Sequence, residues 1–87
     1  MKMKTPKLTL YHFENCSYCA SVRKYLKENN ITIPFKDIQK NPSYKQELLK
    51  IGGKSQVPCL LIDGKALYES FDIIQWFKDN WGKYDGG

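Results

Sequence analysis

Leu8 and Leu10 alternate with Thr9 in the stretch KLTLYHF, the two-residue period of a half-buried strand, so residues 7–13 predict a first β-strand. From 17 to about 29 the period lengthens. Cys19, Val22 and Leu26 fall three and four apart on one helical face, while Arg23, Lys24 and Lys27 lie off it. Asn15 is the expected cap at the start, and the pair Asn29-Asn30 ends the helix. ITIPFKDI at 31–38 returns to alternation through Ile31, Ile33 and Phe35, and Pro34, which has no N–H for a ladder, places this second strand at a sheet edge. Strand, helix and strand in this order predict a right-handed unit with the two strands parallel.

NPSYKQELLKIGG then supplies Asn41 as a cap, Pro42 at the first helical position, Tyr44, Leu48 and Ile51 on one face, and Gly52 as the stop. VPCLLIDGKALYES holds two β-like runs around Asp63-Gly64, a pair suited to the positive φ angles of a tight hairpin. Ser70 is read as the cap of a last helix running to Trp81, with Ile73, Ile74, Phe77 and Trp81 on one side and Gly82 ending it. The sum is β-α-β-α-β-β-α, an α/β chain with a mixed four-stranded sheet flanked by helices.

Length and charge narrow this picture. The 87 residues allow one domain, read as 1–87 with a core over about 7–81 and flexible ends at 1–6 and 82–87. No apolar run approaches the roughly 18 residues of a membrane span, and the basic start lacks the apolar stretch and cleavage site of a secretory signal, so a cytoplasmic setting is expected. The net charge of +5 is spread over several segments without a nucleic-acid-binding module. No nucleic-acid or membrane partner is expected, and a small anionic ligand gains from the field.

Three cysteines is an odd number, unlike the even count usual in a secreted disulfide framework. Cys16 and Cys19 form a C-x-x-C pair where the first strand gives way to the first helix. A sulfur there faces unpaired backbone N–H groups and the positive end of the helix dipole, a placement that lowers cysteine pKa values in proteins from about 8.5 to roughly 3.5–7.5. Cys16 is therefore the expected nucleophile, and Cys19, a turn further in on the apolar face, the expected resolving thiol. A zinc site drawing on Cys59 and His12 as well would lack the usual second close pair of ligands. His12 is read more simply as a residue at the end of a strand, and Cys59, after Pro58, as a small core residue.

CSYC after a first strand, GGKSQVPCLLIDG some forty residues later and YES at the last helix together resemble the glutaredoxins, dithiol oxidoreductases of the thioredoxin-like fold. The resemblance covers about residues 7–81. It implies a cis peptide bond between Val57 and Pro58 and a glutathione slot in which Tyr18 and Gln56 line the sides, Val57 pairs with the cysteinyl backbone beside Pro58, and Glu69 and Ser70 hold the γ-glutamyl end. It further implies a monomer that reduces glutathionylated and disulfide-containing proteins, with glutathione as co-substrate.

Three departures from that pattern stand out. Phe13 occupies a position where many glutaredoxins carry Lys. Ser17 replaces a common Pro, a change that in some members accompanies a [2Fe-2S] cluster shared between two copies, with Cys16 here as the corresponding ligand. Glu69-Ser70 looks like the glutathione-binding corner of glutathione transferase N-terminal domains, although conjugation itself is not expected without the helical second domain of those enzymes.

Overall fold

The structure, a computed structural model, describes residues 5–83. Of the ends expected to be flexible, 1–6 and 82–87, residues 1–4 and 84–87 lie outside the described residues. The chain runs β1 (Leu8–His12), α1 (Ser17–Glu28), β2 (Phe35–Asp37), α2 (Pro42–Gly52), β3 (Cys59–Ile62), β4 (Lys65–Tyr68) and α3 (Ser70–Asn80), ending in a 3₁₀ turn at Trp81–Lys83. The four strands lie in the order β2-β1-β3-β4, with β1 and β2 parallel and the other two pairings antiparallel. This is the thioredoxin-like arrangement that the sequence predicts.

Strand alternation sorts side chains to two cores. Leu8, Leu10 and Leu60 join Val22, Leu26, Ile73 and Phe77 under α1 and α3. On the opposite face Tyr11 and Cys59 pack with Leu48 of α2. Cys19, Val22 and Leu26 are at most 1% exposed, which bears out the predicted apolar face of α1.

Several boundaries differ from expectation. Ile31 and Ile33 belong to no strand, and β2 begins only at Phe35. The reason is local: Ile31 N–H closes the end of α1 on Leu26 O at 2.9 Å, so the chain is still leaving the helix. Pairing starts where Pro34 O accepts Leu10 N–H at 3.0 Å. Pro34 thus precedes the edge strand, and Phe35 is 44% exposed on it. Ile51 is also exposed, so Leu48 and Tyr44 carry the packing of α2.

Gly52 is the last residue of α2 rather than its stop. The left-handed stop is Gly53, at φ 81°. Gly52 is needed for another reason: a Cβ there would overlap the Tyr68 hydroxyl, which donates to Lys54 O at 3.0 Å. The hairpin meets expectation, since Asp63 and Gly64 both have positive φ, at 48° and 88°.

Candidate functional site

Cys16, not Asn15, caps α1. Its backbone is extended at φ −85° and ψ 116°, which turns the side chain over the first helical turn. There Sγ accepts a hydrogen bond from Cys19 N–H at 3.3 Å, the position a Ser or Asn oxygen ordinarily fills. The sulfur expected to react is therefore held by the helix it begins, on a half-buried residue. The cap preference for Asn favours Asn15, and the extended backbone at Cys16 overrides it.

Cys19 is fully buried. Burial first, and then the hydrogen bond with Cys16, push its thiol up to about 12, so it keeps its proton near neutrality and can act as a donor. The two sulfurs thus sit in different environments one turn apart. Both are free thiols, as is Cys59.

A groove of about 360 Å³ is lined by Tyr18, Gln56, Val57, Pro58, Glu69 and Ser70. These are the six residues that the resemblance assigns to a glutathione slot, and the fold brings all six to one surface. The volume falls toward the low end of small-ligand sites, roughly 300–1,000 Å³. Tyr18, in the first turn of α1 and 68% exposed, joins the groove to the segment that carries Cys16. The Val57-Pro58 peptide bond is cis.

Across the groove, α3 begins at Ser70, and the cap position falls to Glu69 instead of Ser70. Glu69 has φ 74° and ψ 121°, a conformation that costs a side-chain-bearing residue on the order of 1–3 kcal/mol. It makes no side-chain capping bond, so the first-turn amides of α3 receive no carboxylate oxygen from it. Its carboxylate instead accepts from Gln56 Nε2 at 2.8 Å. Glu69 is thereby turned toward the groove and away from the helix it would otherwise cap.

The remaining candidates lie elsewhere. His12 is buried at the end of β1, and burial, followed by the charge of Arg23, lowers its pKa. Cys59 is fully buried beneath α2, where burial pushes its thiol up to about 11. Among the described residues no three His, Cys, Asp or Glu side chains converge as a metal-binding group, so Cys16, Cys19, Cys59 and His12 are not assembled into a zinc site. Also among the described residues, no helix is long and apolar enough to cross a membrane.

One residue near the thiols was not singled out by the sequence pattern. Arg23 reaches back from α1 to Phe13 O at 3.3 Å and Glu14 O at 3.2 Å, and its Nη1 lies 2.9 Å from His12 Nδ1. The signal that would have found it is spacing: Arg23 is seven residues past Cys16, two turns along the helix, and helical side chains tilt toward the N-terminus.

The glutaredoxin family model matches residues 8–67. Prostaglandin E synthase 2 of Danio rerio is 31% identical over 68 residues, which are 78% of this chain and 17% of that protein. A crystal structure of glutathione transferase Omega 3C from Trametes versicolor superposes with a TM-score of 0.76 at 34% identity, covering 90% of this chain and 35% of that one. Glutaredoxin 2 from Salmonella typhimurium, crystallised in complex with glutathione, gives a TM-score of 0.75 at 25% identity, covering 92% of this chain and 36% of that one. In all three cases this chain spans well under half of the relative's length.

Proposed function

The chain belongs to the glutaredoxin family of thiol oxidoreductases, and from that premise we propose that it is a glutathione-dependent thiol-disulfide oxidoreductase acting on glutathionylated and disulfide-containing proteins. The observation that carries this reading is the convergence of Tyr18, Gln56, Val57, Pro58, Glu69 and Ser70 on one groove that starts in the first turn of the Cys16 helix. Glutathione fits the chemistry of its parts. The first-turn amides of α3 suit the γ-glutamyl carboxylate, the Glu69 carboxylate suits the ammonium, and the backbone of Val57 suits pairing with the cysteinyl residue as an added strand would.

With a glutathionylated protein, Cys16 Sγ attacks the glutathionyl sulfur seated in the groove. The S–S bond to the protein breaks, and the protein leaves as a thiolate that takes up a proton. A second glutathione thiolate then attacks the glutathionyl sulfur on Cys16, forming oxidised glutathione and returning the free cysteine. With a protein disulfide, Cys16 forms a mixed disulfide with one protein sulfur and Cys19 resolves it. The buried thiol gives up its proton as it attacks, and two glutathiones reduce the resulting Cys16–Cys19 bond. The cycle needs a supply of reduced glutathione, for which we propose the cytoplasm as the setting.

Incubation with oxidised glutathione followed by peptide mass spectrometry tests the assignment. The expected products are a glutathione adduct on Cys16 and an internal Cys16–Cys19 disulfide. Recovery of the unmodified dithiol, or an adduct confined to Cys59, would refute it.

A further inference from the structure

The proposed reaction leaves one charged side chain beside the thiols without a task. Arg23 Nη1 donates to Phe13 O at 3.3 Å and contacts His12 Nδ1 at 2.9 Å, while Nη2 donates to Glu14 O at 3.2 Å. One planar group thus holds three consecutive residues of the turn that leads from β1 to Cys16. Phe13 O also accepts the N–H of Cys16 at 3.3 Å, so the guanidinium and the backbone of the nucleophile share an acceptor.

The His12 contact constrains the ring. A guanidinium has five donors and no acceptor, so Nδ1 has to offer its lone pair and the ring proton has to sit on Nε2. Burial and the Arg23 charge lower the His12 pKa, which keeps the ring in the neutral form that has a lone pair to offer. Phe35 meets the ring edge-on, with centroids 5.3 Å apart, and restrains its rotation.

We propose that Arg23 is a positioning residue for Cys16, acting through a fork on His12 Nδ1, Phe13 O and Glu14 O that fixes the turn from which the nucleophile projects. The proposal rests on the reading of Cys16 as nucleophile. Lysine is not equivalent here, because a single ammonium on a flexible stem cannot reproduce the planar fork across three acceptors. At His12 the requirement is a neutral acceptor at the Nδ1 position, which the Oδ1 of asparagine also supplies.

Two readouts that need no glutathione test the proposal on the full chain. His12 is the only histidine, so ¹⁵N-detected spectra report its tautomer without ambiguity. The expected result is an Nε2–H ring near neutral pH that loses this preference in both Arg23→Gln and Arg23→Lys. The second readout is the rate of iodoacetamide alkylation at Cys16, measured on variants whose melting curves show a folded state. It is expected to fall about fivefold or more in both Arg23 variants, as displacement of a reacting group costs rate, while His12→Asn retains the rate. An Nδ1–H ring in the unaltered protein would overturn the proposal, as would an unchanged rate in Arg23→Gln. Full rescue by Arg23→Lys would also overturn it, by showing that charge alone suffices. If the unaltered protein instead alkylates at Cys16 but forms no glutathione adduct, the functional reading fails and the positioning role stands.

Discussion

Two helices begin at the same groove and begin differently. In α1 the capping group is the Cys16 sulfur itself, bonded to Cys19 N–H at 3.3 Å, so one first-turn amide is met from within. In α3 the cap residue, Glu69, has a positive φ and makes no side-chain capping bond. The first start presents a sulfur held in place, and the second leaves backbone donors to be met by something else. A side-chain cap at both starts would stabilise the fold more and would remove the free amides that the proposed function assigns to an anionic ligand. In α2, which contributes no residue to this groove, Asn41 caps the helix by accepting from Ser43 N–H at 3.1 Å.

The largest expected effect comes from removing the sulfur on the α1 side. Cys16→Ser keeps a capping atom but loses the nucleophile, so turnover on glutathionylated protein and on protein disulfide both fall by at least ~10³-fold in a coupled assay with glutathione reductase. Cys19→Ser separates the two activities: reduction of a protein disulfide is lost, while deglutathionylation continues. Equal loss in the two variants would contradict the division of roles between the thiols.

On the α3 side, Glu69→Gly should move stability and binding in opposite directions. Relief of the positive φ raises stability by about 1 kcal/mol, read from the urea midpoint. Loss of the carboxylate weakens glutathione binding about tenfold, read by calorimetry. A variant that loses stability and keeps its affinity would show that Glu69 serves the helix and not the groove.

The smallest effect concerns the strand that leads into α1. Burial and Arg23 hold the His12 pKa below its ordinary value of 6.5, against the opposing influence of Asp37 and Glu14 and with some help from Lys40. A depressed pKa of this kind gives stability that is fully present above the unfolded value, about 6.5, and is lost as the pH falls toward the folded one. Urea midpoints at about pH 7.5 and 5.5 should therefore differ in the direction of acid weakness, and His12→Asn should reduce the difference.

The sequence carried the fold wherever a long periodic segment set the pattern. Cys19, Val22 and Leu26 marked the buried face of α1, and Asp63-Gly64 marked the hairpin. The groove was legible through the family resemblance, because CSYC, the Val57-Pro58 pair and Glu69-Ser70 are separated by distances that the fold then closes. What remained hidden was local backbone geometry. Asn15 is the preferred cap until φ and ψ are known, and Glu69 displaces Ser70 from the cap through a backbone angle that no composition implies. Ile31 and Ile33 kept a strand-like alternation while the chain was still closing a helix. Gly52 read as a terminator because its actual constraint, the Tyr68 hydroxyl, comes from a strand sixteen residues later. Arg23 was hidden for a related reason: an arginine off the apolar face shows its partners only once the chain has folded back.

The seclusion of Cys59 bears on how the protein would be handled at the bench and how it would fare under peroxide. A thiol-counting reagent applied to the native chain should not find this residue, which is 0% exposed, and should find it readily once denaturant is added. Peroxide would accordingly reach the half-buried Cys16 first, with Cys19 drawn in only as its disulfide partner, and would spare the third sulfur, so a later sulfonate at position 59 would record that the molecule had at some time come open.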